Sequence, residues 1–263
     1  VPPDREITIL DLLTHTSGLM SGPVSTAAGA KMFESRHKTG LKWVEGLGAT
    51  PLEFAPGSRW SYSAVAGFDV LSRVVEIASG QTFNQFLNER IFRPLTARDI
   101  TFWPTPEQRG RLVTSYIKGP SGLTPRQDPD SMSSEVYFSG AGGLMATAES
   151  YARFAMMLAE GGQLGTARIL APRTVEMMGS TFIPDTLPGR SPGEGYGLSV
   201  RVVNDPAARR TLVSKGSFGW SGAYGTHFWV DPEKHLVGIL MIQTPVVAMR
   251  DDFENAVMQA VID

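Results

Sequence analysis

Ser35-Arg36-His37-Lys38 is literally a Ser-x-x-Lys, and Lys38-Thr39-Gly40 a Lys-Thr-Gly, but both lie in a charged, surface-like stretch. Gly219-Trp220-Ser221-Gly222-Ala223 misses the G-x-S-x-G nucleophile elbow by one residue, and the residues after it read as strand rather than helix. The 4 histidines, His15, His37, His227 and His235, permit a Ser-His-Asp triad on paper, yet no sequence context selects any of them. His15 reads best as a loop or helix-end residue whose ring bonds locally. His227 and His235 fall on an expected hairpin and lack metal-ligand spacing. Serine acyl transfer needs a base, an acid and two backbone N–H groups aimed at the developing oxyanion. Tyr62, taken alone, is a half-buried aromatic at a helix start; a phenol titrates near pH ~10 and needs a neighbouring cation before it can act as a base near neutrality.

The elements that must position these groups are legible from periodicity. Residues 7–15 read as a short helix with Ile7, Leu10 and Leu13 on one face and Gly18 as its stop. Residues 21–40 are mixed and poorly periodic. From Ser63 onward, Val65, Phe68, Leu71, Val75 and Ala78 recur at helical spacing, and Gly80 stands where a left-handed terminal residue is usual. Thr82 begins a second helix with Phe83, Phe86, Leu87 and Ile91 as its stripe and Pro94 as its end. Residues 103–140 read as surface loops and short strands. Helix returns at Thr147, with Tyr151, Phe154, Ala155 and Leu158 inward and Gly161-Gly162 closing it, and again after Pro172. From Tyr196 the pattern changes to strands, and 226–231 pairs with 235–243 through Asp231-Pro232-Glu233-Lys234. Residues 251–261 form a last amphipathic helix with Phe253, Val257 and Val261 on one side. This order implies an α+β fold in which a helical lobe stands beside an antiparallel β-sheet flanked by helices. Residues 1–195 supply the mainly helical lobe and loops, and 196–263 the sheet strands and C-terminal helix.

Composition narrows the partners. At 263 residues the chain buries a sizeable core. A formal charge of −2, with no basic tract, argues against nucleic acid. With Cys 0, disulfides and cysteine-metal clusters are excluded, while the compartment stays open between cytoplasmic and exported. No metal and no cofactor is expected. The longest strongly apolar run, 236–242, is too short to span a bilayer, and 1–6 lacks the regions of a signal peptide. Met156-Met157 and Met177-Met178 read as core filler.

Four stretches, in order, carry a resemblance. Ile7-Thr-Ile-Leu-Asp-Leu-Leu-Thr-His-Thr-Ser-Gly-Leu-Met20 comes first, then Phe54-Ala-Pro-Gly-Ser-Arg-Trp-Ser-Tyr62-Ser-Ala64 with Ser79-Gly80-Gln81 after its helix. Gly140-Ala-Gly-Gly-Leu-Met-Ala-Thr-Ala-Glu-Ser-Tyr-Ala-Arg-Phe154 and Gly219-Trp220-Ser221-Gly222-Ala223 complete the set. Together they resemble the penicillin-recognising serine hydrolases, the superfamily of class C β-lactamases, DD-peptidases and related esterases.

The resemblance implies a β-lactamase/DD-peptidase-like fold and makes Tyr62 the general base and acid. It makes Trp220, Ser221 and Gly222 a wall of the acyl pocket and the Ala223 N–H an oxyanion donor. In the superfamily the Ser-x-x-Lys nucleophile element precedes the run at 7–20, so Ser35 comes after it, in the wrong order. The nucleophilic serine and its lysine are therefore expected upstream of Val1, the fold N-terminally incomplete, and this chain inactive alone or in need of a companion N-terminal fragment. Ala64 stands in place of the motif's Asn, and Trp220 in place of the Lys that would attract a substrate carboxylate. Both departures are seen in the carboxylesterase branch. The expected activity is thus hydrolysis of a small-molecule ester through an acyl-enzyme by one catalytic unit. A β-lactamase, DD-peptidase or D-aminopeptidase is the enzymatic alternative, and a non-catalytic binding or scaffold module of the same fold the other.

Overall fold

The computed structural model describes residues 3–125, 134–244 and 246–261. In the helical lobe, α1 (Ile9–Leu13) starts at Thr8, whose side chain accepts from the Asp11 N–H while Asp11 accepts from the Thr8 N–H. Arg5 holds the same carboxylate through two bonds of 2.7 and 2.8 Å, and Thr16 adds another. These partners outweigh the cost of burial and hold the Asp11 carboxyl well below its usual range. They also correct the expected helix face. Asp11 and Leu12 turn inward, and Ile9 and Leu10 stay 58% and 45% exposed.

Residues 21–40, aperiodic in sequence, contain α2 (Pro23–Glu34). This helix buries Ser25 and Gly29, and a Cβ on Gly29 would stand 2.6 Å from the Met20 sulfur. Small contact residues give no apolar period. A 3₁₀ segment, Gly40–Ala49, comes next and buries Leu41, Trp43, Val44 and Leu47.

The next helix, α3 (Ala66–Ser79), ends at Gly80 with φ 70°, as the sequence suggested. Its buried centre is a carboxyl group, whose pKa burial raises. Asp69 accepts from Trp43 Nε1 at 2.9 Å, Tyr137 Oη at 2.6 Å, Ser139 Oγ at 2.6 Å and the Gly140 N–H at 3.1 Å. Four donors satisfy this buried carboxyl group and tie two distant segments, at Trp43 and at residues 137–140, to the helix. Gly140 is needed for the approach, because a Cβ there would lie 2.6 Å from the Phe68 carbonyl. A capping box at Thr82 opens α4 (Phe83–Leu87), which runs on into the wider turn Asn88–Phe92. Thr147 caps α5 (Ala148–Ala159), and Pro172 begins α6 (Pro172–Met178).

Among the described residues the main sheet has five antiparallel strands side by side in chain order: β1 (Glu194–Tyr196), β2 (Arg201–Val203), β3 (Phe218–Ser221), β4 (His227–Asp231) and β5 (Leu236–Leu240). Successive side chains alternate between its faces. On one face Val202, Phe218, Phe228 and Val230 pack with Ala155, Met157 and Leu158 of α5. Val203 and Trp229 meet Phe253, Val257 and Met258 of α7 (Val247–Gln259) on the other. This last helix starts before the expected residue 251, and Val261 lies past its end. The Asp231 side chain closes the β4–β5 turn by accepting from Glu233 and Lys234 N–H. The architecture is the expected α+β one. No helix among the described residues is long and apolar enough to cross a membrane.

Candidate active site

Tyr62 is held by its neighbours in sequence rather than by its own hydroxyl. The Ser61 N–H donates to the His15 carbonyl at 3.1 Å, and the Ser63 N–H donates to His15 Nδ1 at 3.2 Å. One histidine thus grips the backbone on both sides of Tyr62. Its ring also lies 4.6 Å from the Tyr62 ring, edge to face. His15 itself sits in the left-handed region at φ 58°. Just beyond it, Gly18 has φ +77° and approaches so closely that a Cβ would fall 2.5 Å from the Phe54 carbonyl. The local bonding expected of His15 is therefore present, and its consequence is the placement of Tyr62.

Aromatic rings complete this face. His15 is enclosed by Trp60, Tyr62, Phe68 and Tyr196 at centroid distances of 6.3, 4.6, 5.0 and 5.1 Å. Burial among them lowers the His15 pKa to about 4, so the ring is neutral at neutral pH. Burial likewise raises the Tyr196 phenol far above its ordinary value. Tyr62 stays 41% exposed. Across from it Trp220 lies 5.5 Å from the Tyr62 ring and 5.4 Å from Tyr196. The structure thus brings together two of the residues singled out in the sequence from points far apart in the chain.

Of the other three, Ser221 lies at the end of β3, and Gly222 and Ala223 lie just past it. Pairing with β2 is confined to Arg201↔Gly219 and Val202↔Phe218, so from Trp220 onward that side of β3 has no strand partner among the described residues. Gly222 N–H donates to the Thr226 carbonyl at 2.7 Å. Backbone groups alternate along an antiparallel strand, so Trp220 and Gly222 point to β4 while the Ser221 N–H and carbonyl point to the open side. Gly222 and Ala223 are exposed in the adjoining turn, closed by a bond from the Gly225 N–H to the Gly222 carbonyl.

The Ser221 side chain goes elsewhere. Its Oγ lies 2.9 Å from His227 Nδ1, and His227 Nε2 lies 2.9 Å from Glu254 Oε1. Sequence reasoning did not connect these three. The signal was the register: a short turn at 222–225 places residue 221 opposite 227 on β4. Glu254 had no signal, being a buried charge on an amphipathic helix. Arg201 and Arg209 each bond it, at 2.7 and 2.9 Å, and Arg209 also reaches Glu194 and Asp251. Burial opposes its ionisation, but the His227 bond and both arginines hold its pKa down to about 2. For His227 burial is the larger influence and lowers its pKa despite Glu254.

A model of the family described as Beta-lactamase matches residues 1–261. Protein Rv1367c of Mycobacterium tuberculosis is 32% identical over 268 residues, which cover 92% of this chain and 63% of that protein. The chain therefore spans somewhat under two thirds of that relative's length. Esterase EstB of Burkholderia gladioli is 30% identical over 97% of this chain and 69% of its own. Among solved structures, EstCE1, described as a hydrolase with promiscuous acyltransferase activity, superposes with a TM-score of 0.81 at 25% identity, over 99% of this chain and 72% of that one. Matched from end to end of its described fold, this chain belongs to the β-lactamase family.

Proposed function

We propose that the protein is a serine hydrolase that cleaves carboxylic esters through an acyl-enzyme, with Tyr62 as general base and acid. The observation that carries this reading is Tyr62 itself, half exposed, its backbone locked on both sides by His15 and its ring facing Trp220 at 5.5 Å. In this mechanism the nucleophilic serine and its lysine come from sequence upstream of Val1. The lysine charge favours the Tyr62 phenolate, which takes the serine proton as the serine attacks the ester carbon. The Ala223 N–H, with the nucleophile's own N–H, receives the oxyanion. Tyr62 then returns the proton to the departing alkoxide, and water repeats the sequence to release the acid. Trp220, Ser221 and Gly222 form a wall of the acyl pocket.

Two residues favour esters over β-lactams and peptides. Trp220 brings an apolar ring where a lysine would attract a substrate carboxylate, and Ala64 offers no amide to an acylamino side chain. The name of the relative Esterase EstB supports this preference. The complete gene product is expected to hydrolyse p-nitrophenyl esters of short acids far faster than a chromogenic cephalosporin. Comparable kcat/KM values on the two would overturn the ester assignment.

A further inference from the structure

The proposed ester mechanism, which uses Ser221 only as part of the pocket wall, makes no use of its hydroxyl or of His227 and Glu254, and their geometry suggests a chemistry of its own. We propose that Ser221 is a second acylatable serine, with His227 as its base and Glu254 as the group that orients His227, taking small activated esters and phosphonyl electrophiles.

Glu254 is fully buried and its two oxygens are held by Arg201 and Arg209, so it stays in place and charged. An ionised carboxylate accepts only, so His227 must donate from Nε2. The Nδ1 lone pair is then left to accept the Ser221 proton at 2.9 Å. Trp229 stacks on the imidazole at 5.8 Å between centroids and limits its rotation. Ser221 is half-buried, whereas His227 and Glu254 are buried. This is the pattern of an activated nucleophile, a half-buried serine hydroxyl on a buried and oriented base. The N–H of Ser221, directed to the side of β3 that β2 leaves open, supplies one donor for a developing oxyanion.

The step balances without a further reagent. Ser221 Oγ bonds to the acyl carbon as its proton moves to His227 Nδ1. The bond to the leaving alkoxide or phenolate then breaks, and the leaving group takes that proton. Water, deprotonated by the same Nδ1, frees the acid and restores Ser221.

Treatment with an alkyl fluorophosphonate, then proteolysis and peptide mass analysis, tests the assignment. An adduct on Ser221 is expected, formed at least about tenfold more slowly in His227→Gln, as loss of a general base requires. An adduct confined to other serines, or an unchanged Ser221 rate in a folded His227→Gln, overturns it. Ser221→Cys gives a second readout that leaves both partners intact. These 263 residues have Cys 0, so within them this thiol is unique. Its alkylation by iodoacetamide at mildly acid pH should run at least about tenfold faster than that of a free thiol such as glutathione, because an imidazole partner favours the thiolate. A rate equal to that of the free thiol would reduce the three residues to a structural relay. Because the adduct is located by peptide, failure here is distinct from failure of the Tyr62 mechanism, which is read from ester turnover.

Discussion

Trp220 and Ser221 are neighbours on one strand, yet they meet opposite kinds of environment. Trp220 joins Tyr62, Tyr196 and neutral His15 in a face built from rings, where hardly any charge is fixed. Ser221 joins His227 and Glu254, at the end of a network in which Arg201, Arg209 and Arg250 balance Glu194, Asp251 and Glu254. Strand alternation is the cause of the separation. What the contrast teaches is how each face resists change: the ring face through packing and one histidine's two bonds, the charged face through ion pairs that fail together when one member is lost.

The largest effect is expected on the charged side. Glu254→Ala leaves two buried guanidinium groups short of their carboxylate, and removing one partner of a buried pair costs about 3–5 kcal/mol. A fall in melting temperature of roughly 10 °C should result for a chain of this size. A change of a degree or two would mean that the network adds little and that the two faces are alike in stability.

Acid separates the faces next. Burial holds His15 at about 4 against an ordinary 6.5, so between those values the unfolded chain binds a proton that the folded chain refuses. Stability therefore falls as pH drops from about 6.5 to 4, by at most about 3 kcal/mol from this residue. His227, also lowered, adds a loss of the same sign as pH falls below its ordinary value, and Glu254 contributes loss only below about pH 4.5. His15→Asn keeps an acceptor for the Ser63 N–H and tolerates the left-handed backbone. It should flatten the dependence of melting temperature on pH in that window, measured by thermal denaturation in a buffer series. An undiminished slope would assign the effect to His227 alone.

A smaller change sharpens the comparison. Thr147 caps α5, the helix that covers Phe228 and Val230, by accepting from the Ser150 N–H at 3.2 Å. Thr147→Ala should cost about 1 kcal/mol in chemical denaturation and leave the charged face untouched.

Local chemistry made parts of this structure legible in the sequence. Thr82, Gly80, Thr147 and the Asp231 turn act on residues within a few positions, and each marks the boundary that reading expected. The helix α2 was hidden because it docks through Ser25 and Gly29, and the face of α1 was misjudged because Arg5 and Thr16 draw Asp11 inward. Tyr62 and Trp220, which the motifs single out, lie ring to ring. The role of His15 in fixing Tyr62 depends on backbone contacts made across 48 residues, and Glu254 on ion pairs from three segments. Neither kind of contact leaves a periodic trace, because buried polar groups are placed by their partners rather than by a repeating pattern.

The measurement closest to the central claim is Tyr62→Phe in the complete gene product, with ester turnover and thermal melting compared side by side against the parent. The exchange keeps the ring against His15 and Trp220 and removes only the hydroxyl. The account predicts a fall in kcat on the order of 10²–10⁴ with an almost unchanged melting temperature. Near-parental turnover would contradict it, and lost turnover together with a large drop in melting temperature would make Tyr62 a structural aromatic instead.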